Sequence, residues 1–284
     1  MVITTDFLKS LDRLQVILKK RIYAAHHGEH TASHGGEGLV FRDYKAYAPG
    51  DDFRYIDWRV YARTDKFYIR RFEAERNLTV HILVDSSASM NFGSGKHTKF
   101  EYAAEVGLGF AYIAMRNNER FNMSTFTEHV NAFKPRKGAA NLAYLFDTLG
   151  SMRVEGRSSF LQSMEEYRKH ITSKSFIVLI SDFLYDLDEV EEIISRYHKS
   201  QVFIIQVLDL QERDLNLSGD VILEDAETQD KIRTFVSMRL KNTYQQRLEE
   251  HIAHLKEICE RNGASFISVS TNTPIFETFY NMFK

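Results

Sequence analysis

The sequence predicts an α/β fold: a doubly wound, mostly parallel sheet, preceded by an N-terminal helix and a small antiparallel β module. Three observations predict it. From Leu78 onward, short apolar runs alternate with segments of helical periodicity, the pattern of repeated βαβ units. One such run, Ser175 to Ile180, is continuously apolar after its first residue, as a strand buried on both faces must be. Residues 38–76 instead alternate apolar and charged positions around Pro49-Gly50-Asp51-Asp52, a turn signal between antiparallel strands.

The elements follow in order. Phe7, Leu8, Leu11, Leu14, Ile17, Leu18 and Ile22 recur at helical spacing and predict an amphipathic helix over 5–23. His26 to Gly36 is polar and reads as a loop; its histidines 26, 27, 30 and 34 lack the cysteine or carboxylate pattern of a zinc site. The β module occupies 35–77, leaving 1–34 as helix and loop and 78–284 as the large domain. There, strands are expected at 79–85, 121–126, 130–133, 175–180, 202–208 and 266–269. Helices are expected at 100–116, 139–151, 159–172, 187–197, 238–262 and 275–283, with an exposed hairpin over 219–236. Asn262-Gly263 is the stop signal of the longest helix.

Composition narrows the function. In 284 residues, 37 Lys and Arg face 39 Asp and Glu, so no basic field for nucleic acid exists. Hydrophobic residues make up 43% and aromatics 13%, enough for a filled core in which most Phe and Tyr belong. The single cysteine, Cys259, sits in a helical pattern and reads as a packed side chain. The first 21 residues carry charges throughout, and no segment has the length and apolarity of a membrane span. The expectation is a cytoplasmic protein.

Candidate chemistry begins where the first core strand ends. Asp85, Ser87 and Ser89 form an Asp-x-Ser-x-Ser triplet on a strand-end loop. One carboxylate and two hydroxyls suit a small hard divalent ion, Mg2+ above all, with Mn2+ or Ca2+ as substitutes. Ser158, in the loop Gly156-Arg157-Ser158-Ser159-Phe160, and Asp182, ending the most apolar strand, fall at the same sheet edge. The bland reading of Asp85, Ser87 and Ser89 is a turn or capping cluster.

Asp85-x-Ser87-x-Ser89, Ser158 and Asp182 together resemble the metal-ion-dependent adhesion site of von Willebrand factor type A domains. In that family the third position is usually threonine, and the aspartate usually precedes glycine rather than Phe183. Upstream, Gly36 to Tyr44, Pro49-Gly50-Asp51-Asp52, Arg54 to Trp58 and Ala62-Arg63-Thr64 resemble the domain-of-unknown-function 58 proteins, over about residues 34–210. That resemblance implies a non-enzymatic, metal-dependent interaction module. Its implied partners are a MoxR-type AAA+ ATPase and a client protein that contributes an acidic residue. Ser87, Ser89 and Ser158 would contact the ion directly or through water, with Asp85 and Asp182 holding it.

Rival readings are weaker. Gly93 to Thr98 fails as a phosphate loop, because Met90 and His97 stand where glycine and Ser or Thr are required. A metal-dependent phosphohydrolase could use Asp85 as nucleophile, but its second carboxylate would be at Ser87. A metal-free scaffold of the same fold is the third reading. Arg54, Asp57, Trp58, Arg59 and Arg63 offer either a docking surface or a core tryptophan with self-paired charges.

Overall fold

The computed structural model describes residues 40–73 and 78–282, so the helix predicted over 5–23 and the histidine-bearing loop lie outside the described residues. The chain separates into two compact units, Lys20–Asn77 and Leu78–Lys284 with Met1–Lys19. Among the described residues no helix is long and apolar enough to cross a membrane.

In the smaller unit β1 (Val40–Ala46) pairs antiparallel with β2 (Tyr68–Glu73), with a register shift between Phe41 and Asp43. The segment between them is helical rather than extended. A 3-10 turn, Phe53–Tyr55, is capped by Asp52, and helix α1 (Trp58–Thr64) by Asp57, whose carboxylate accepts from Arg59 N at 2.9 Å and Val60 N at 3.3 Å. Satisfying those first amides is what starts a helix in a stretch whose apolar–charged alternation mimics a strand. Trp58 is not a buried anchor: it is 60% exposed, with edge-on contacts to Tyr61 and Phe67, while Ile56 and Ile69 fill the interior. The charges do pair among themselves, Arg54 with Asp52 at 2.6 Å and Arg70 with Asp57 at 3.7 Å.

The larger unit is built on a six-stranded sheet. Its strands are β3 (Thr79–Asp85), β4 (Arg120–Phe126), β5 (Val130–Asn131), β6 (Ser175–Ser181), β7 (Gln201–Leu208) and β10 (Ser265–Ser270), in the order β10-β7-β6-β3-β4-β5. All neighbours are parallel except the short edge strand β5, which is antiparallel to β4. This is the doubly wound order, with the winding direction reversing between β3 and β6. β6 is buried at every position, as its sequence requires. The hairpin β8 (Gly219–Glu224) and β9 (Lys231–Val236) forms its own two-stranded sheet.

Helices cover both faces. On one lies α2 (Lys99–Arg116), started by a capping box between Thr98 and Glu101 and buried along most of its length. Gly107 and Gly109 permit that depth: a Cβ would come within 2.5 Å of Met123 Cε at the first and of Phe279 Cζ, on α8 (Ile275–Met282), at the second. α3 (Ala139–Gly150) packs beside α2. On the other face α4 (Phe160–Tyr167), α5 (Leu187–Arg196) and α7 (Met238–Arg261) enclose a core that includes Phe126, Phe160, Phe183, Leu255 and Cys259. Burial pushes the Cys259 thiol up to about 12, so it is packing and not a nucleophile. The helix expected over 159–172 ends at Tyr167 and continues as one 3-10 turn, Arg168–His170.

One buried group gives this core a pH signature. His81 on β3 is 1% exposed, with Nδ1 2.7 Å from the Tyr167 hydroxyl. Burial, and secondarily His170, pulls its pKa from 6.5 down to about 4. The folded protein therefore refuses a proton that the unfolded chain accepts below 6.5. This stability is full above pH 6.5 and is lost progressively as pH falls toward 4. Urea unfolding of the wild type should show about 2 kcal/mol less stability from this group at pH 5 than at pH 7. His81→Gln should remove that share of the loss; an equal drop in the variant would assign it to other groups.

Candidate functional site

Because β3 and β6 are parallel neighbours in register, with Val84 opposite Ile180, their ends deliver Asp85 and Ser181-Asp182 to the same edge. That edge is the switch point of the sheet, where this topology opens a crevice at the C-terminal strand ends. Both carboxylates are buried, Asp85 fully and Asp182 at 2% exposure. Beyond Asp85 the chain forms a 3-10 turn, Ala88–Asn91, with Ser87 at its N-cap. That turn is tied to the third loop by Ala88 N donating to Gly156 O at 2.9 Å.

The hydroxyls sit between the carboxylates. Ser87 Oγ and Ser89 Oγ are 3.1 Å apart, and Ser89 Oγ donates to Asp182 Oδ2 at 3.0 Å. Asp85 Oδ1 accepts from Ser87 N at 2.9 Å, and Oδ2 from Ser181 Oγ at 2.8 Å and from the Tyr185 hydroxyl. Ser158 Oγ lies 2.9 Å from the Tyr185 hydroxyl, so it joins the cluster through that tyrosine. The five residues singled out in the sequence therefore share one hydrogen-bonded cluster, four of them by direct bonds among their loops and Ser158 by way of Tyr185.

Five further residues complete the site. Lys99, the first residue of α2, is 1% exposed; its ammonium donates to Asp182 Oδ2 at 2.8 Å and to Glu212 Oε1 at 2.6 Å. Glu212 belongs to α6 (Leu210–Asp214), a short helix opened by a capping box from Asp209. Ser181 and Tyr185 follow β6, and Glu227 reaches in from the tip of the β8–β9 hairpin, its Oε2 3.4 Å from Ser158 N. A lysine in the first turn of a helix opposes the helix dipole, and Asp182 and Glu212 compensate it here.

Phe183 settles the departure from glycine after Asp182. Its φ is +50°, the left-handed conformation that glycine adopts freely, yet its ring is fully buried 5.8 Å from Phe160. Gln206 Nε2 donating to Asp182 O at 2.9 Å, and His251 Nε2 at 2.8 Å from Phe183 O, fix the turn. The backbone requirement is kept while the side chain serves the core.

The electrostatics are those of a cup with excess negative charge. The Asp182 charge acts on both Asp85 and Glu227, and the Lys99 ammonium pairs with Asp182 and Glu212. Desolvation first, then the Asp182 charge, raises Asp85 to about 6. Desolvation also lifts Glu212 and Glu227 above the ordinary carboxylate range. Burial, then Asp85, holds the Tyr185 hydroxyl far above its usual value, so it donates and does not ionise. Burial would lower Lys99, but Asp182 and Glu212 outweigh it and keep the amine charged.

Such a donor set, all oxygen with neutral hydroxyls between two carboxylates, fits a hard divalent cation. Among the described residues no group of three or more His, Cys, Asp and Glu side chains is placed to hold a metal. An ion here would thus rest on serine hydroxyls as much as on Asp85 and Asp182.

Uncharacterised proteins of Mycobacterium tuberculosis and Mycobacterium bovis are 26% identical over 269 residues, covering 93% of this chain and 84% of theirs. Among solved structures, BatB of Bacteroides thetaiotaomicron aligns at TM-score 0.47 and 12% identity, over 72% of this chain and 96% of that one. An aerotolerance-related membrane protein of Bacteroides fragilis aligns at 0.46 and 12%, over 72% and 98%. The von Willebrand type A domain of SpRpn10 gives 0.43 and 12%, over 72% and 94%. Residues 43–254 match the family model described as "Protein of unknown function DUF58", and the chain belongs to that family.

Proposed function

We propose that this protein is a non-enzymatic, Mg2+-dependent interaction module that bridges a MoxR-type AAA+ ATPase and a client protein. The observation that carries the site half of this reading is the convergence of three separated segments. Asp85, Ser87 and Ser89, the Ser158 loop, and Asp182 meet at the switch point of the sheet, linked by the 3.0 Å bond from Ser89 to Asp182. The ATPase half rests on the family resemblance. A bound divalent ion would supply an open coordination position for a partner's carboxylate, which makes association ion-dependent.

The chain's own residues explain why the ion would matter. Asp85 and Asp182 are buried like charges, and Lys99 pairs with Asp182. The 3-10 turn that Ser87 caps brings the Ser87 and Ser89 hydroxyls together, with Ser89 on Asp182. The phosphohydrolase reading is disfavoured by the same geometry: Asp85 is fully buried and both its oxygens already accept hydrogen bonds, a poor nucleophile.

Capture of a purified MoxR-type AAA+ ATPase by this chain, with and without EDTA, tests the reading. Retention in Mg2+ should drop to background in chelator and return when Mg2+ is restored. Equal retention in both would sink ion-dependent bridging.

A further inference from the structure

The β8–β9 hairpin is a solvated arm: Ile222, Ile232 and Phe235 are each about two-thirds exposed, at 67%, 66% and 67%. Its tip is nonetheless shaped. Asp225 accepts from Glu227 N and Thr228 N, each at 2.8 Å, Asp225 N donates to Asp230 O at 2.9 Å, and Gln229 takes φ +63°. This turn directs Glu227 inward; it is half-buried, whereas Ala226 and Thr228 on either side are exposed. Its carboxylate lies at Ser158 N, 69 residues earlier in the chain, and against the Ser87 side chain.

Those two groups border the hydrogen-bonded cluster of Asp85, Ser87, Ser89 and Asp182, which an incoming acidic side chain would have to reach. We propose that Glu227 is a tethered acidic ligand that occupies the position of the partner's carboxylate, so that a partner binds by displacing the hairpin tip. The inference rests on reading the site as a receptor for acidic side chains. It adds that the chain carries its own competitor, which sets the threshold a partner must exceed. The turn survives loss of the Glu227 carboxylate, because Asp225 holds it through backbone amides.

Two variants of the full chain test this, E227Q and E227A. Binding of 13C-labelled acetate in Mg2+, read from its NMR line width, should tighten at least tenfold in both. Amide exchange at Ser158, whose N–H donates to the Glu227 carboxylate, should quicken at least tenfold in E227A even without ion, while the turn amides of Glu227 and Thr228 keep their protection. Acetate binding that needs Mg2+ but is unchanged in the variants overturns the tethered ligand and leaves the reading of the site standing. Absence of Mg2+-dependent acetate binding in wild type and variants alike overturns both.

Discussion

Lys99→Met should lower folding stability by about 3–5 kcal/mol in the absence of divalent ions, because it strands the buried Asp182 carboxylate beside the half-buried Glu212. Lys99 is 1% exposed and its ammonium is shared between Asp182 and Glu212 at 2.8 and 2.6 Å. Methionine keeps the length and apolar stem of the side chain, so the loss reports the charge rather than a cavity. Asp182 and Glu212 would then face one another uncompensated, with Asp85 adding to the same field. Mg2+ should return much of the lost stability, since the divalent ion supplies the missing positive charge. Denaturant unfolding in EDTA and in Mg2+ reads both effects. A variant as stable as the wild type in EDTA would mean that Lys99 is not the counter-ion of the cup.

Phe160→Ala should cost a similar amount, about 3–5 kcal/mol, for a different reason. Phe160 is 1% exposed and joins the core to the site. Its ring meets Phe126 edge-on at 6.0 Å and Phe183 at 5.8 Å, and stacks on Tyr185 at 5.2 Å. Truncation leaves a cavity among rings and removes the platform that holds the Tyr185 hydroxyl on Asp85. Thermal unfolding reads the first effect. The second should appear as a weaker response to Mg2+ than the wild type shows at equal saturation of folding. Phe160→Leu, which refills much of the space, should recover most of the stability but not the ring stacking.

What the sequence disclosed, and what it did not, follows from the range of the interactions. The sheet was legible because each strand carries its burial locally: β6 reads as apolar throughout and is buried throughout. Asp85, Ser87, Ser89 and Asp182 were legible because a doubly wound sheet places strand ends at one crevice. Lys99 was not, since its partner Asp182 lies 83 residues away, and Glu227 reaches a loop 69 residues distant. Tyr185 lies only four residues past Ser181, yet its role depends on Phe160 holding the ring. Helix α1 falls inside the β module expected over 35–77, and what starts it is the Asp57 cap on the amides of Arg59 and Val60, which no apolar–charged alternation reveals. The strand expected to run from Val130 to Phe133 stops at Asn131, and Phe133 N turns to Ser124 Oγ at 3.4 Å.

The most direct test of the central claim is thermal or denaturant unfolding of wild type and Asp85→Asn across a Mg2+ titration. Asparagine preserves the shape of the side chain and removes its charge. Wild type should gain about 2.7 kcal/mol when free Mg2+ reaches a hundred times its dissociation constant, and Asp85→Asn should gain none over the same range. An equal gain in both proteins, or none in the wild type, would contradict an ion held between the ends of β3 and β6.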